Sequence, residues 1–242
     1  MAHFLLIHGA WHGGWCWEGV IRWLAKAGYS AEAPTLPGHS PGDRRSEITL
    51  QVYVDFLVDT LSRQRSPVIL VGHSSAGLLL QAAAPQVVTN VEQLVFHNAV
   101  VVGVGQRQFD VVLPEEEAWM TTAANATLDR TIPVVESFLG SLLEPDNIPL
   151  FREALFPRLV PQPLALFDSP VDTNLFDRLV IPKTVLYARD EASFPAGSIL
   201  AMARQLGQYK LVEIAGGHEV LFTRPEVVAQ ALIRIAGAGS HD

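Results

Sequence analysis

Short, wholly apolar runs recur along this chain of 242 residues, and segments with helical spacing follow them. The clearest runs are Phe4–Ile7 and Val68–Val71, and Val91–Phe96 is another predicted strand. A strand that is buried on both faces has such a run, and it occurs in parallel sheets covered by helices on both sides. The alternation of strands and helices therefore predicts an α/β fold with a mostly parallel, doubly wound sheet.

The other predicted elements continue this alternation, and Thr49 is placed to cap a helix that runs to about Arg63. Apolar spacing, glycines and prolines set the remaining bounds. In chain order, these predictions are helix 17–27, strand 29–33, helix 78–84, strand 184–188, helix 197–206, strand 210–214 and helix 225–236.

Residues 103–179 interrupt the alternation. Helical pieces are predicted over Glu115–Thr122 and Ile132–Leu143, among frequent prolines. We expect a helical cap inserted before the last two strands, with 1–102 and 180–242 forming the core of one structural domain. Ligands of α/β sheets bind at the carboxyl ends of the strands, where such a cap would lie. An irregular excursion that only covers surface is the alternative.

Ser74 lies in the sequence Val71-Gly72-His73-Ser74-Ser75-Ala76-Gly77, between a predicted buried strand and a predicted helix. A serine on such a tight turn has an exposed hydroxyl beside a helix N-terminus, and small neighbours are needed to avoid clashes. This arrangement resembles the nucleophile elbow of the α/β-hydrolases, although Ala76 replaces the usual last glycine. We predict that Ser74 is the nucleophile.

A serine hydroxyl needs a base to accept its proton, and in α/β-hydrolases an acid and then a histidine follow the serine. His218 follows a predicted strand and is the expected base, because His241 lies next to the C-terminus. Asp190 is the favoured acid because it comes directly at the end of a strand, and Glu191 is its competitor. Some α/β-hydrolases take this acid from the end of the preceding strand, but here the residues after Phe96 are His97-Asn98-Ala99, which contain no carboxylate.

Two backbone N–H groups should stabilise the oxyanion that forms during acyl transfer. Ser75, directly after the nucleophile, is expected to supply one of them. Ala10, in the turn after the first strand, is expected to supply the other.

The segment His3-Phe4-Leu5-Leu6-Ile7-His8-Gly9-Ala10-Trp11-His12-Gly13-Gly14-Trp15 resembles the opening of the plant methylesterase and hydroxynitrile lyase group of α/β-hydrolases. The segment 95–99 and the spacing from Asp190 to His218 are similar too. The resemblance implies the α/β-hydrolase fold, a catalytic triad, a compact helical cap and no cofactor, in an esterase-like member of bacterial type.

Two positions favour an esterase over a lyase. Lyases of the Hevea type have a threonine where this chain has Gly9, and a lysine where it has Glu219. A lysine stabilises the leaving cyanide, whereas a glutamate would oppose it. The leading hypothesis is a carboxylesterase that forms an acyl-enzyme on Ser74. A cofactor-free lyase or tailoring enzyme that transfers protons with the same triad is the alternative, and a ligand-binding receptor on this fold is a third hypothesis.

The substrate is expected to be a small to medium apolar ester that binds beneath the cap. Plain core packing is the alternative role for each of the apolar pocket candidates. Those candidates, together with Gly9, are Trp11, Phe109, Trp119, Met120, Phe138 and Phe194.

Composition excludes several other classes of protein. The formal net charge is −8, which disfavours a nucleic-acid-binding surface. The single cysteine, Cys16, cannot form an intrachain disulfide, and we interpret it as a core residue. No run is long and apolar enough for a membrane span, and the N-terminus lacks the pattern of a signal peptide. We therefore expect a cytoplasmic enzyme without a metal; a homodimer is left open.

Overall fold

The computed structural model of the protein describes residues 2–140 and 148–238. Six parallel strands form the central sheet, in the order β2-β1-β3-β4-β7-β8. These strands are β1 His3–Ile7, β2 Ser30–Glu32, β3 Val68–His73, β4 Val91–His97, β7 Lys183–Ala188 and β8 Lys210–Ile214. The predicted doubly wound parallel sheet is confirmed.

Helices cover both faces of the sheet. They are α1 Glu18–Lys26, α2 Leu50–Ser62, α3 Ala76–Ala83, α8 Ser198–Ala203, α9 Val220–Thr223 and α10 Pro225–Ala238. The Thr49 hydroxyl accepts a hydrogen bond from the Val52 N–H at 3.2 Å, which satisfies a free donor at the start of α2. The predicted N-cap is therefore confirmed.

Alternate residues of the central strands face two different hydrophobic cores. In β1, Leu5 and Ile7 pack on the face covered by α2, α3 and α8, whereas Phe4 and Leu6 pack on the face covered by α1 and α10. These four side chains have no exposed surface. Burial on both faces explains why β1 is apolar without interruption from Phe4 to Ile7.

The connection between β4 and β7 contains the remaining elements. They are α4 Pro114–Asn125, β5 Thr131–Ile132, α5 Glu136–Leu139, α6 Ile148–Leu150, β6 Gln162–Pro163 and α7 Ala165–Asp168. Backbone hydrogen bonds join its two sides, because Gly105 N–H donates to Val171 O at 2.8 Å and Val171 N–H donates to Gln106 O at 2.9 Å. We call residues 98–182 the covering segment; the exact cap bounds of 103–179 stay a prediction.

The predicted helix over Ile132–Leu143 is wrong at its start. Thr131 and Ile132 instead pair antiparallel with Pro163 and Gln162. Ile132 is fully buried and precedes a proline, and a residue in that position disfavours helical backbone. The helix α5 begins at Glu136, and 141–143 lie outside the described residues.

The sheet also determines where a site can form. The chain leaves β1 for β2 on one side and returns to β3 on the other, so the order of strands reverses between β1 and β3. Ligands of open α/β sheets bind at the carboxyl ends of strands beside such a switch point. The loop after β1 and the turn after β3 meet there. Within the described residues, no helix is both long and apolar enough to cross a membrane.

Candidate active site

Ser74 lies in the turn between β3 and α3 with a backbone φ of 54°, a left-handed conformation that is rare for a residue other than glycine. Two glycines permit this turn. A Cβ at Gly72 would lie 2.8 Å from a methyl carbon of Leu80, and a Cβ at Gly77 would overlap the Val100 carbonyl oxygen. The close approach falls on Gly77, which explains why Ala76 is tolerated at the position before it.

A continuous chain of hydrogen bonds links Ser74 to a carboxylate. Ser74 Oγ lies 3.0 Å from His218 Nε2, and His218 Nδ1 lies 2.7 Å from Glu191 Oε2. The ionised Glu191 carboxylate can only accept a hydrogen bond, so the neutral imidazole of His218 has its proton on Nδ1 and presents the Nε2 lone pair to the serine hydroxyl. This arrangement can remove the proton from Ser74.

The carboxylate against His218 belongs to Glu191 and not to Asp190, so the favoured choice of acid is corrected. Asp190 is exposed, and its Oδ2 accepts a hydrogen bond from Gly216 N–H at 3.0 Å. Its own N–H donates to Gly216 O at 2.9 Å. Both groups therefore connect Asp190 to the loop after β8, while the next side chain, one methylene longer, reaches the imidazole.

Burial and charge act in opposite directions on this pair. Burial alone would lower the pKa of His218, but the Glu191 carboxylate, together with its hydrogen bond and the nearby charge of Glu219, raises it above 6.5. Burial would raise the pKa of Glu191, but His218 and hydrogen bonds from Ser193 lower it. The acid therefore stays ionised while the imidazole gains basicity.

Asn98 lies directly after β4 and holds the strand ends together. This role was not predicted from the sequence. Its backbone φ is 42°. Its side-chain oxygen accepts from Ala188 N–H at 2.9 Å, and its side-chain nitrogen donates to Gly217 O at 3.4 Å. The available signal was an asparagine at a strand end, because asparagine tolerates left-handed backbone better than most residues.

The turn after β1 packs directly on the nucleophile. A Cβ at Gly9 would lie 2.8 Å from Ser74 Cβ, so the backbone of this turn runs beside Ser74. Ala10 and Ser75 are both buried. Trp11, with φ 61°, is held by the covering segment, since its N–H donates to the Gln162 side chain at 3.1 Å. The oxyanion roles of Ala10 and Ser75 stay a prediction.

A narrow cavity of about 40 Å³ opens on Ser74 and His218. Its wall is mostly apolar, and the covering segment supplies five of its eleven lining residues. The other lining residues are Trp11, Ser75, Gln108, Val112, Glu116, Met120, Phe167, Ser193 and Phe194.

Three of the predicted pocket residues line this cavity, namely Trp11, Met120 and Phe194. Gly9 supports Ser74 and does not line it, and Trp119 is partly exposed on α4. The side chain of Phe138 lies outside the described part of the structure.

Packing in the covering segment explains why one predicted pocket residue does not line the cavity and why other wall residues were not predicted. Phe109 is buried against Phe167, with ring centroids 5.5 Å apart. Four further wall residues were not predicted, because nothing in the irregular covering segment indicates which residues face the cavity. They are Gln108, Val112, Glu116 and Phe167.

A second group of titratable side chains lies beside His218. Ligand atoms of His73, His218 and Glu219 lie within 4.8 Å of one another, which is the one grouping among the described residues that could hold a metal ion. Both nitrogens of His218 already face Ser74 and Glu191. Burial is the main reason that the pKa of His73 falls well below 6.5.

Residues 4–231 match the family model described as alpha/beta hydrolase family. The chain belongs to the alpha/beta hydrolase family. A carbendazim hydrolyzing esterase from Nocardioides is 27% identical over 257 residues, covering 96% of this chain and 98% of the relative. A pyrethroid hydrolase from Sphingobium wenxiniae is 29% identical over 250 residues, covering 97% and 87%. Plant esterases and methylesterases are also relatives of this hydrolase, as the sequence resemblance predicts.

A solved structure of an extracellular alpha/beta-hydrolase from a Paenibacillus species superposes with a TM-score of 0.89. The alignment covers 97% of this chain and 98% of that one at 23% identity, which shows the shared fold. Named esterases match this hydrolase over nearly its whole length. The protein is a carboxylesterase-type hydrolase.

Proposed function

We propose that this hydrolase cleaves a carboxylic ester of a small to medium apolar substrate through an acyl-enzyme on Ser74. The observation that carries the proposal is the hydrogen-bonded chain from Ser74 Oγ through His218 to Glu191. In this role, His218 accepts the serine proton as Oγ bonds to the ester carbonyl carbon. It then donates that proton to the departing alkoxide.

The backbone N–H groups of Ala10 and Ser75 would bind the oxygen that becomes negatively charged. Support comes from the contact of Gly9 with Ser74, because it brings this turn beside the attacked carbonyl. A water molecule, activated by the same imidazole, would then attack the acyl carbon and release the acid and free Ser74.

The apolar wall of the cavity supports an apolar acyl or alkoxy group. At about 40 Å³, the cavity is smaller than such a group, so binding requires side chains of the covering segment to move. Two relatives are named for hydrolysis of carbendazim and of pyrethroids, which supports ester substrates of this apolar kind.

The test is the substitution Ser74→Ala, assayed with p-nitrophenyl esters of increasing acyl length. We expect kcat to fall by roughly 10⁴-fold or more, because no other group replaces the nucleophile. Rapid acid quenching and mass spectrometry of the wild type should find the acyl group on the peptide containing Ser74.

The alternative lyase chemistry would give a different result. Proton transfer by the same triad would produce turnover without an acylated peptide. Wild-type turnover without any adduct, or full activity of Ser74→Ala, would contradict the proposal.

A further inference from the structure

Glu219 follows the catalytic histidine in the chain, but it is absent from the residues that line the cavity. Its side chain is only 2% exposed, and its Oε2 lies 3.4 Å from His12 Nε2. The other nitrogen of His12, Nδ1, lies 2.7 Å from the Ala10 carbonyl oxygen. His12 therefore connects the loop after β8 to the turn after β1.

We propose that Glu219 and His12 form a buried ion pair that positions the Ala10 turn against the loop carrying His218. Both are positioning residues, because they act through Ala10 and His218 and not on the substrate. The inference rests on the proposed function, since it assigns the pair to the same acyl-transfer site.

The surroundings of Glu219 identify which group balances its charge. The titratable groups around it are His12, His73, His218 and the Cys16 thiol. His73 is held neutral mainly by burial, and His218 must be neutral to act as a base. A buried carboxylate without a partner is very costly, so the balancing cation is His12.

Burial opposes both charges, but the two groups stabilise each other. Burial would raise the pKa of Glu219, but His12 and the other nearby histidines together lower it well below its usual range. Burial would lower the pKa of His12, but Glu219 and the contact with the Ala10 carbonyl together raise it. Both groups are therefore charged between the lowered pKa of the acid and the raised pKa of the imidazole.

A protonated His12 donates from both ring nitrogens. Nδ1–H donates to Ala10 O, and the charged Nε2–H lies within ion-pair distance of Glu219, at 3.4 Å from Oε2. A neutral His12 retains only one of these N–H groups. The turn that His12 holds contains Trp11 in a strained left-handed conformation. A hydrogen bond from His12 to the Ala10 carbonyl therefore helps to keep this turn in place.

The pair also affects the base directly. Glu219 raises the pKa of His218, in addition to the effect of Glu191, while His73 and His97 face the same imidazole. Substituting Glu219→Gln removes this charge and leaves a buried His12 without an anion, so His12 becomes neutral. We expect looser positioning of Ala10 and a lower pKa of His218.

The experiment measures kcat and KM across pH for Glu219→Gln, His12→Gln and the double variant, with p-nitrophenyl acetate. We expect each single variant to lower kcat roughly 10-fold while KM changes less than about 2-fold, because an oxyanion donor acts mainly in the transition state. The acidic limb of kcat/KM should move to lower pH in Glu219→Gln. The double variant should lose no more than either single variant.

Two controls separate positioning from general damage. Glu213→Gln removes an exposed carboxylate on β8 and should leave kcat and the pH profile unchanged. Glu219→Asp keeps the charge and should restore part of kcat. If thermal unfolding shows that Glu219→Gln is not folded, the test relies on His12→Gln. An unchanged kcat in that variant overturns the inference.

Labelling with a fluorophosphonate distinguishes this inference from the proposed function. If the wild-type enzyme turns over esters but is not labelled at Ser74, the proposed function is contradicted. A labelled wild type whose Glu219→Gln variant has the same kcat and pH profile overturns only the ion-pair inference. Additive losses in the double variant overturn it as well.

Discussion

The carboxyl edge of the sheet and the covering segment are built in different ways. At the sheet edge, Gly9 and Gly77 leave no room for a Cβ, and hydrogen bonds hold Ser74, His218 and Glu191 together. In the covering segment, α7 has only four residues, and Leu128 and Leu175 are largely exposed. We infer that the sheet edge determines the chemistry and that the covering segment determines which ester binds.

The largest effect is expected at the sheet edge, where the neighbouring carboxylates of Asp190 and Glu191 should differ in importance. Glu191→Gln should lower kcat roughly 10³- to 10⁴-fold, because His218 loses the partner that sets its tautomer and stabilises its cation. Asp190→Asn is the matched control and should cost no more than a few fold. Steady-state assays of both variants decide between them; the reverse order would mean that Asp190 is the acid in solution.

The pH profile tests the same contact independently. Because the pKa of His218 is raised above 6.5, wild-type kcat/KM should reach half of its plateau at a pH above 6.5 and fall as the imidazole protonates. Removing the negative charge in Glu191→Gln should move that half-point to lower pH. If the half-point does not move, the charge of Glu191 does not affect the pKa of His218, which contradicts the assigned contact.

Gly9→Ala should have the next largest effect. The new methyl would lie 2.8 Å from Ser74 Cβ, so the nucleophile or the Ala10 turn must shift. We expect a loss of roughly 100-fold in kcat, as for a displacement of about 1 Å at a reacting group. Gly237→Ala in α10, where nothing lies within 4 Å of the added carbon, is the control and should keep full activity.

A change in the covering segment should alter selectivity more than rate. Met120→Ala shortens a buried wall of the cavity, so the ratio of kcat/KM for the hexanoate over the acetate ester should rise roughly 10-fold. The neighbouring Trp119→Ala changes a partly exposed side chain outside the cavity wall and should leave the ratio unchanged. Equal shifts in both variants would argue against this assignment of the wall.

The smallest effect is expected at the surface of the covering segment. Arg107 makes ion pairs with Asp110, Glu117 and Asp168, and so joins parts of the segment that are far apart in sequence. Arg107→Ala should lower the free energy of unfolding by about 1 kcal/mol, and less at high salt, because these pairs are partly exposed. Denaturant titrations should show no such loss for the exposed Arg65→Ala. Ester hydrolysis should persist in both variants.

The sequence by itself determined the sheet and most helices, and it predicted Ser74 and His218, whose side chains lie 3.0 Å apart in the structure. Strand and helix periodicity are local properties, and the apolar run before Ser74 indicates burial on both faces whatever the neighbouring strands are. The small residues around Ser74 likewise report a local need, since the tight turn leaves no space for larger ones. His218 was found because it follows a strand whose end had to lie at the same edge.

Only the tertiary structure decided which carboxylate meets the base. Asp190 and Glu191 are adjacent, so spacing cannot separate them; the bonds of Asp190 to Gly216 turn one carboxylate away and leave the other facing His218. The cavity wall depended on how an irregular segment with little periodicity packs over the sheet. The contact between His12 and Glu219 joins loops from opposite ends of the chain, and side-chain directions in such loops follow from packing rather than from local sequence.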